Sequence, residues 1–308
     1  MKATDGEELH SRQRSKKYEK FIEKPRALCY YDYEKIYTKA GGVQILNKSN
    51  LKREKLLQKI KAFRLLDDDF MSKVFEDDIE CTEFLLHIIM DKPDLKVQEV
   101  RTQYSIKNLL GRSVRLDIHA IDDMQKKYNI EIQRVDKGAG AKRARYNSSV
   151  IDVNSLPAGT EFDELPETYV IFITENDVMG GNEPIYHIDR IVKETGKSFG
   201  DEAHIIYVNG AYRDGSPLGL LMHDFACTNP ADMYYKILAD KTRYFKEDEK
   251  GVAAMCKIME DLIDSEKKES ALRLLKLGKL SNKEIAESLE LDVEVVNALD
   301  EEQKAVTY

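Results

Sequence analysis

The chain has 308 residues, 42% hydrophobic and 34% charged, with a net charge of −8. That is room for one sizeable domain or two modest ones, and the balance excludes a uniformly basic nucleic-acid binder. No apolar run reaches the roughly 18 residues of a membrane span. The start lacks the apolar core of a secretory signal. Cys29, Cys81, Cys227 and Cys256 are scattered without a CxxC pair, so they frame no zinc site or disulfide scaffold, and reduced thiols in a cytoplasm are expected.

Residues 1–50 carry mixed charge, the basic segment Arg12–Lys24 and a Gly41-Gly42 break, and are expected to be a flexible or loosely docked extension. Residues 51–246 should form the main domain, entered through a basic helical stretch over Asn50–Leu66. The run Asp67-Asp68-Asp69 reads as a solvated helix-start charge run. Asp77 and Asp78 precede IECTEFLLHIIM, whose apolar residues recur at helical spacing. VQEVRTQYSI alternates as a first strand, followed by a turn at Asn108–Gly111.

VRLDIHAI (Val114–Ile121) and YNIEIQ (Tyr128–Gln133) also alternate and suit an antiparallel pair. In regular strands Val114, Leu116, Ile118 and Ala120 share one face. Asp117 then falls on the other, with Glu131 and Gln133. Two carboxylates and an amide together could seat a hard divalent cation. Acids on the wet face of an antiparallel sheet are also commonly just solvated. A helix-like stretch from Gly138 to Leu156 comes next, then a continuous apolar run, TYVIFIT (Thr168–Thr174), suited to a buried strand, and a short strand HIIYVNG. Residues 211–246 read as loops plus a short helix near Met233–Thr242. Residues 247–308 read as a helical segment ending in a helix-turn-helix-like hairpin, with Ser281 as a cap and Glu290 where Gly is usual. That hairpin is acidic, so a protein contact suits it at least as well as DNA.

The segment RSVRLDIHAIDDMQKKYNIEIQRVDKGAGAKRARYNSS resembles the nuclease core of PD-(D/E)XK-type transposase-family proteins related to recombination-promoting nucleases. The resemblance runs on through LPETYVIFITENDV, PIYHIDR, HIIYVNG and MHDFACTNPADMYYKILADKTRYFKEDEKG, covering about Asp67 to Gly251. It implies an α/β (α+β) restriction-endonuclease-like αβββαβ core with a mixed central sheet, plus the helical C-terminal segment. It also implies a metal-dependent DNA endonuclease using Mg²⁺ (or Mn²⁺), with catalytic positions Asp117, Glu131 and Gln133. The metal ligands would be Asp117, Glu131, the carbonyl of Ile132 and, on the first helix, Glu83. Gln133 stands where the wider superfamily often has Lys, and an amide carries no positive charge. Arg143 and Tyr146 match positions that come after the E-x-Q at helical spacing. With Lys142 and Arg145 they would meet DNA. A purely structural ion pair with Glu131 is the competing expectation for Arg143, and plain packing is the competing one for Tyr146. The alternative function is a catalytically silent nuclease fold used for nucleic-acid or protein interaction. The helical tail also raises the expectation of a homo-oligomer joined through it.

Overall fold

The computed structural model describes residues 33–37, 43–107, 112–134 and 136–306. The basic segment Arg12–Lys24, the Gly41-Gly42 break and the turn at Asn108–Gly111 lie outside them. The chain divides into two compact units, Met1–Glu54 and Lys55–Tyr308. In the first, β1 (Tyr33–Tyr37) pairs antiparallel with β2 (Val43–Asn47), two strands that the sequence pattern does not announce. Helix α1 (Lys48–Ala62) is next, with Leu56 and Ile60 buried in the second unit.

Helices α2 (Asp68–Val74) and α3 (Ile79–Met90) precede the sheet. The side chain of Asp78 caps α3 by accepting from Cys81 N–H, satisfying a donor that the first helical turn leaves unpaired. Three antiparallel strands come next: β3 (Val97–Ile106), β4 (Val114–Asp122) and β5 (Lys127–Gln133). A 3₁₀ turn at Asp136–Ala139 leads into α4 (Ala141–Val153). Then β6 (Thr168–Thr174) lies parallel to β5, and β8 (Ala203–Asn209) parallel to β6. The edge strand β7 (Ile185–Ile188), not anticipated from the sequence, pairs antiparallel with β8 and completes the order β3-β4-β5-β6-β8-β7. All seven residues of β6 are buried, as its unbroken apolar run requires of a strand covered on both faces. The α3-β3-β4-β5-α4-β6 succession is the αβββαβ core, a restriction-endonuclease-like fold.

The larger apolar core lies on one face of this sheet, under α1, α2, α3, α5 (Pro217–Ala226), α6 (Lys236–Glu247) and the start of α7 (Glu249–Leu277). Helix α5 falls where only loops are expected. Ser216 caps it and Pro217 occupies its first turn, a start signal that does not depend on hydrophobic period. The other face carries a smaller core, in which α4 packs through Ala144, Val150 and Ile151 on Val170 and Phe172. At the C-terminus α8 (Asn282–Leu289) and α9 (Val293–Val306) gather with the end of α7 around Ala271, Ile285, Ala286 and Val296. Ser281 and Glu284 form a capping box, and Glu290 takes the left-handed turn at φ 51°. No helix among the described residues is long and apolar enough to cross a membrane.

Candidate functional site

The expected alternation of β4 breaks at Asp117. Leu116 packs with α4 in the smaller core, whereas Ile118 and Ala120 belong to the larger one. Regular pleating would hold all three on one face. The cause sits opposite on β3. There Thr102 pairs with Ile118 and Tyr104 with Leu116, and Gln103 between them adopts φ 50°. A left-handed residue inside a strand reverses the facing of the residues beyond it, so the β3–β4 ladder turns over at this point.

β4 also stops pairing with β5 beyond Ile118–Ile130. The Asp117 carboxylate takes over, its Oδ2 accepting from Ile132 N–H at 2.9 Å. Asp117 is thereby held beside Glu131 without an intervening ladder bond. The expected wet face is corrected here: Glu131 is fully buried and Asp117 nearly so, because α4 covers that side of the sheet.

Burial and proximity act on both acids. Desolvation, then the charge of Glu131 and of Asp68, raises the Asp117 carboxyl well above the ordinary range. Glu131 is also raised, chiefly by desolvation, although Arg143 opposes the shift. Arg143 reaches down from α4, giving Nη2 to Glu131 Oε2 at 2.6 Å and Nη1 to the carbonyl of Gly138 at 3.0 Å. Its guanidinium also lies over the Phe172 ring, 5.8 Å from the centroid. Asn129 donates to Glu131 Oε1 at 3.1 Å. Gln133 folds against Gly138. A Cβ on Gly138 would come within 1.8 Å of the Gln133 amide oxygen, so only glycine leaves the amide its place.

Asp117, Glu131, Ile132, Gln133 and Arg143 therefore converge. Glu83 does not join them. Its carboxylate accepts from Val97 N–H and from Lys96 Nζ, both at 2.9 Å, and Val97 pairs with Asp122, away from Asp117 along β4. The further acid whose charge reaches both Asp117 and Glu131 is Asp68, at the start of α2. Gln103 Nε2 donates to Asp68 Oδ1 at 3.0 Å, so the residue that turns the ladder over also holds this acid.

A charged network fixes the same corner. Arg134, just after Gln133, pairs with Asp67 and Glu175, and Arg64 pairs with the same two acids. It links the ends of β5 and β6 to the start of α2. From its neighbours in sequence, Asp67–Asp69 is a solvated charge run. Only the fold brings a positive-φ residue and two arginines to it. Asp68→Asn is expected to reduce divalent-cation binding at Asp117 and Glu131 by a few-fold in calorimetry, with the melting temperature unchanged or slightly raised. A fall in melting temperature with unchanged cation binding would mean that Asp68 is only structural.

Beside Arg143 opens a groove of about 880 Å³, lined by Arg112 just before β4, by Arg115 within it and by Lys142, Arg143, Arg145 and Tyr146 of α4. Tyr146 donates its hydroxyl to the Arg112 carbonyl, tying the two walls together. Arg112 and Arg115 carry no sequence signal of their own. Their strand is positioned by the turned-over ladder.

A restriction-endonuclease-like sheet with a buried acidic pair where its third and second strands part defines a nuclease-type fold. Residues 72–210 match the model of the PD-(D/E)XK nuclease family transposases. The match takes in all six strands of the large sheet. Comparison with curated proteins and with solved structures returns no match.

Proposed function

We propose that this protein hydrolyses phosphodiester bonds of DNA with a divalent cation, Mg²⁺ or Mn²⁺, bound at Asp117 and Glu131. The observation that carries this reading is the buried pair itself. Two carboxylates are withdrawn from water, repel one another and are opposed, among the described residues, by a single direct guanidinium partner, Arg143. Structural acids so placed are costly unless a cation compensates them. All-oxygen donors fit a hard cation, with Asp117, Glu131 and the carbonyl of Ile132 as its protein ligands. When bound, the cation supplies Lewis-acid activation of water and neutralises charge growing on the phosphate.

The chain's own groups do the rest. Arg112, Arg115, Lys142 and Arg145 attract a phosphate backbone to the groove against the overall negative charge. Gln133 can donate and accept a hydrogen bond and so orient a water, but it brings no positive charge to the phosphate. Arg143 neutralises Glu131 and borders the groove, which makes it the group able to move between carboxylate and phosphate.

A plasmid-nicking assay in Mg²⁺ and Mn²⁺ tests the reading. Wild type should nick, Asp117→Ala and Glu131→Ala should not, and cleavage by folded Asp117→Ala would rule out this site. Arg143→Met is expected to tighten cation binding in calorimetry by removing the competing charge. It should weaken DNA binding in chelator roughly tenfold, about 1.4 kcal/mol. Weaker cation binding instead would make Arg143 a support of the site and not a competitor. A second reading, a silent nuclease fold that only binds, is favoured by Gln133 and by the Arg143–Glu131 bond. It predicts DNA binding without turnover in any divalent metal, indifferent to Asp117→Ala.

A further inference from the structure

Across the sheet from α4, the end of α5 carries a second cluster with different chemistry. His223 and Cys227 stand one helical turn apart, so their side chains share a face. Asp224 adds a carboxylate that is fully buried. His223 Nδ1 lies 3.2 Å from Asp224 Oδ1 and 3.5 Å from Cys227 Sγ, and one ligand atom from each residue falls within 4.8 Å of the others.

Those spacings can be compared with coordination geometry. Tetrahedral Zn²⁺ with nitrogen and oxygen at about 2.0–2.2 Å and sulfur at about 2.3 Å sets ligand atoms roughly 3.4 Å apart for N and O, and roughly 3.6 Å for N and S. The His–Asp and His–Cys edges of the cluster fit. Asp224 is also fixed from behind, its Oδ1 accepting from Tyr234 N–H and its Oδ2 from Tyr235 N–H, each at 2.8 Å. A carboxylate has about four lone-pair sites, so both bonds leave capacity for a cation, and such bonds are what hold a ligating carboxylate in orientation. The Tyr234 ring stands edge-on to the His223 imidazole at 4.7 Å, fixing the third ligand.

We propose that His223 Nδ1, Asp224 Oδ1 and Cys227 Sγ form a metal site for a borderline-soft divalent cation of the Zn²⁺ class, clipping the end of α5 to the Tyr234–Tyr235 segment. On binding, the S–H bond of Cys227 breaks, the proton leaves to solvent and the sulfur electron pair is shared with the cation. One thiolate, one carboxylate and a neutral imidazole then balance the two positive charges. The thiolate separates this site from the all-oxygen pair at Asp117 and Glu131, because sulfur favours Zn²⁺ over Mg²⁺. His223 is about a third exposed, leaving the fourth position open to water. The inference does not depend on the nuclease reading.

The test is a Co²⁺ titration of the metal-free full-length protein, monitored by the near-ultraviolet charge-transfer band that only a cobalt–thiolate bond gives. Wild type and Asp117→Ala should each develop the band with a single equivalent of Co²⁺, and Zn²⁺ should remove it. Cys227→Ser and His223→Gln, both checked for native circular dichroism, should lack it. His223 is exposed enough that His223→Gln keeps the test open even if the cysteine variant fails to fold. No band in wild type overturns the proposal. So does a band that survives in Cys227→Ser, which would report Cys29, Cys81 or Cys256, or one that survives in His223→Gln.

Discussion

Asp117→Asn is expected to abolish metal-dependent cleavage, at least about a thousandfold or roughly 4 kcal/mol in the barrier, while making the metal-free fold more stable. Both effects have one cause. In the fold the Asp117 carboxyl is pushed up to about 8, by desolvation first and then by Glu131 and Asp68. A group whose folded value is raised keeps protons that the unfolded chain has released, so stability falls as pH rises through that interval. For Asp117 the window runs from the ordinary 3.8 to about 8. Asparagine still accepts from Ile132 N–H but never ionises. In chelator, the variant should match wild type near pH 4 and exceed it by on the order of a few kcal/mol at pH 8. Mg²⁺ should restore wild type and leave the variant unmoved. Denaturant melts at the two pH values, with and without Mg²⁺, read this directly. If the variant is no more stable than wild type at pH 8 in chelator, the two carboxylates do not repel as described.

Lys246→Met should cost roughly 3 kcal/mol, about 6–12 °C in Tm for a unit of this size. Lys246 is 5% exposed on α6. Its ammonium donates to the carbonyls of Lys61, Phe63 and Thr228 and lies 5.3 Å from the centre of the Phe70 ring. Desolvation pushes its pKa to about 8, and near neutral pH the charged form still predominates. Methionine fills much of the same space but leaves three acceptors largely shut away from water. The damage should reach the site, because Phe63 precedes Arg64, whose bonds to Asp67 and Glu175 hold the start of α2. Cation binding at Asp117 and Glu131 should therefore weaken in the folded variant. A melt within about 1 °C of wild type would show that these carbonyls find other partners.

Much of this architecture is legible in the residues. The alternation of Val114–Ile121 and Tyr128–Gln133, the apolar run Thr168–Thr174 and the helical period after Asp78 each give the element found there, because their side chains must match the period of the face they bury. Ser281 announces its capping box for the same local reason. Helix α5 and strand β7 are not legible. The first is short, and its Ser216-Pro217 start suits a turn as well as a helix; the second is an edge strand whose pairing comes from β8. Among the site residues, the acids of β4 and β5 can be placed near one another from alternation alone. Alternation is nevertheless incomplete there, since regular pleating puts Leu116 on the wrong core and leaves the acids on a wet face.

Residue order is enough to dictate the αβββαβ succession and to bring Asp117, Glu131 and Gln133 to neighbouring strands. Strand period and element succession are local properties, and a family pattern of spacing travels with them. Only packing settles that the acids are buried, that Arg143 answers Glu131, that Glu83 is occupied by Val97 and Lys96, and that the charge of Asp68 reaches both acids. The burial of the acids depends on α4 closing one face of the sheet, and the reach of Asp68 on Gln103, which turns the ladder over and bonds its carboxylate. A left-handed residue in a strand and the desolvation of a charge are consequences of packing. Neither is written in the spacing of any one segment.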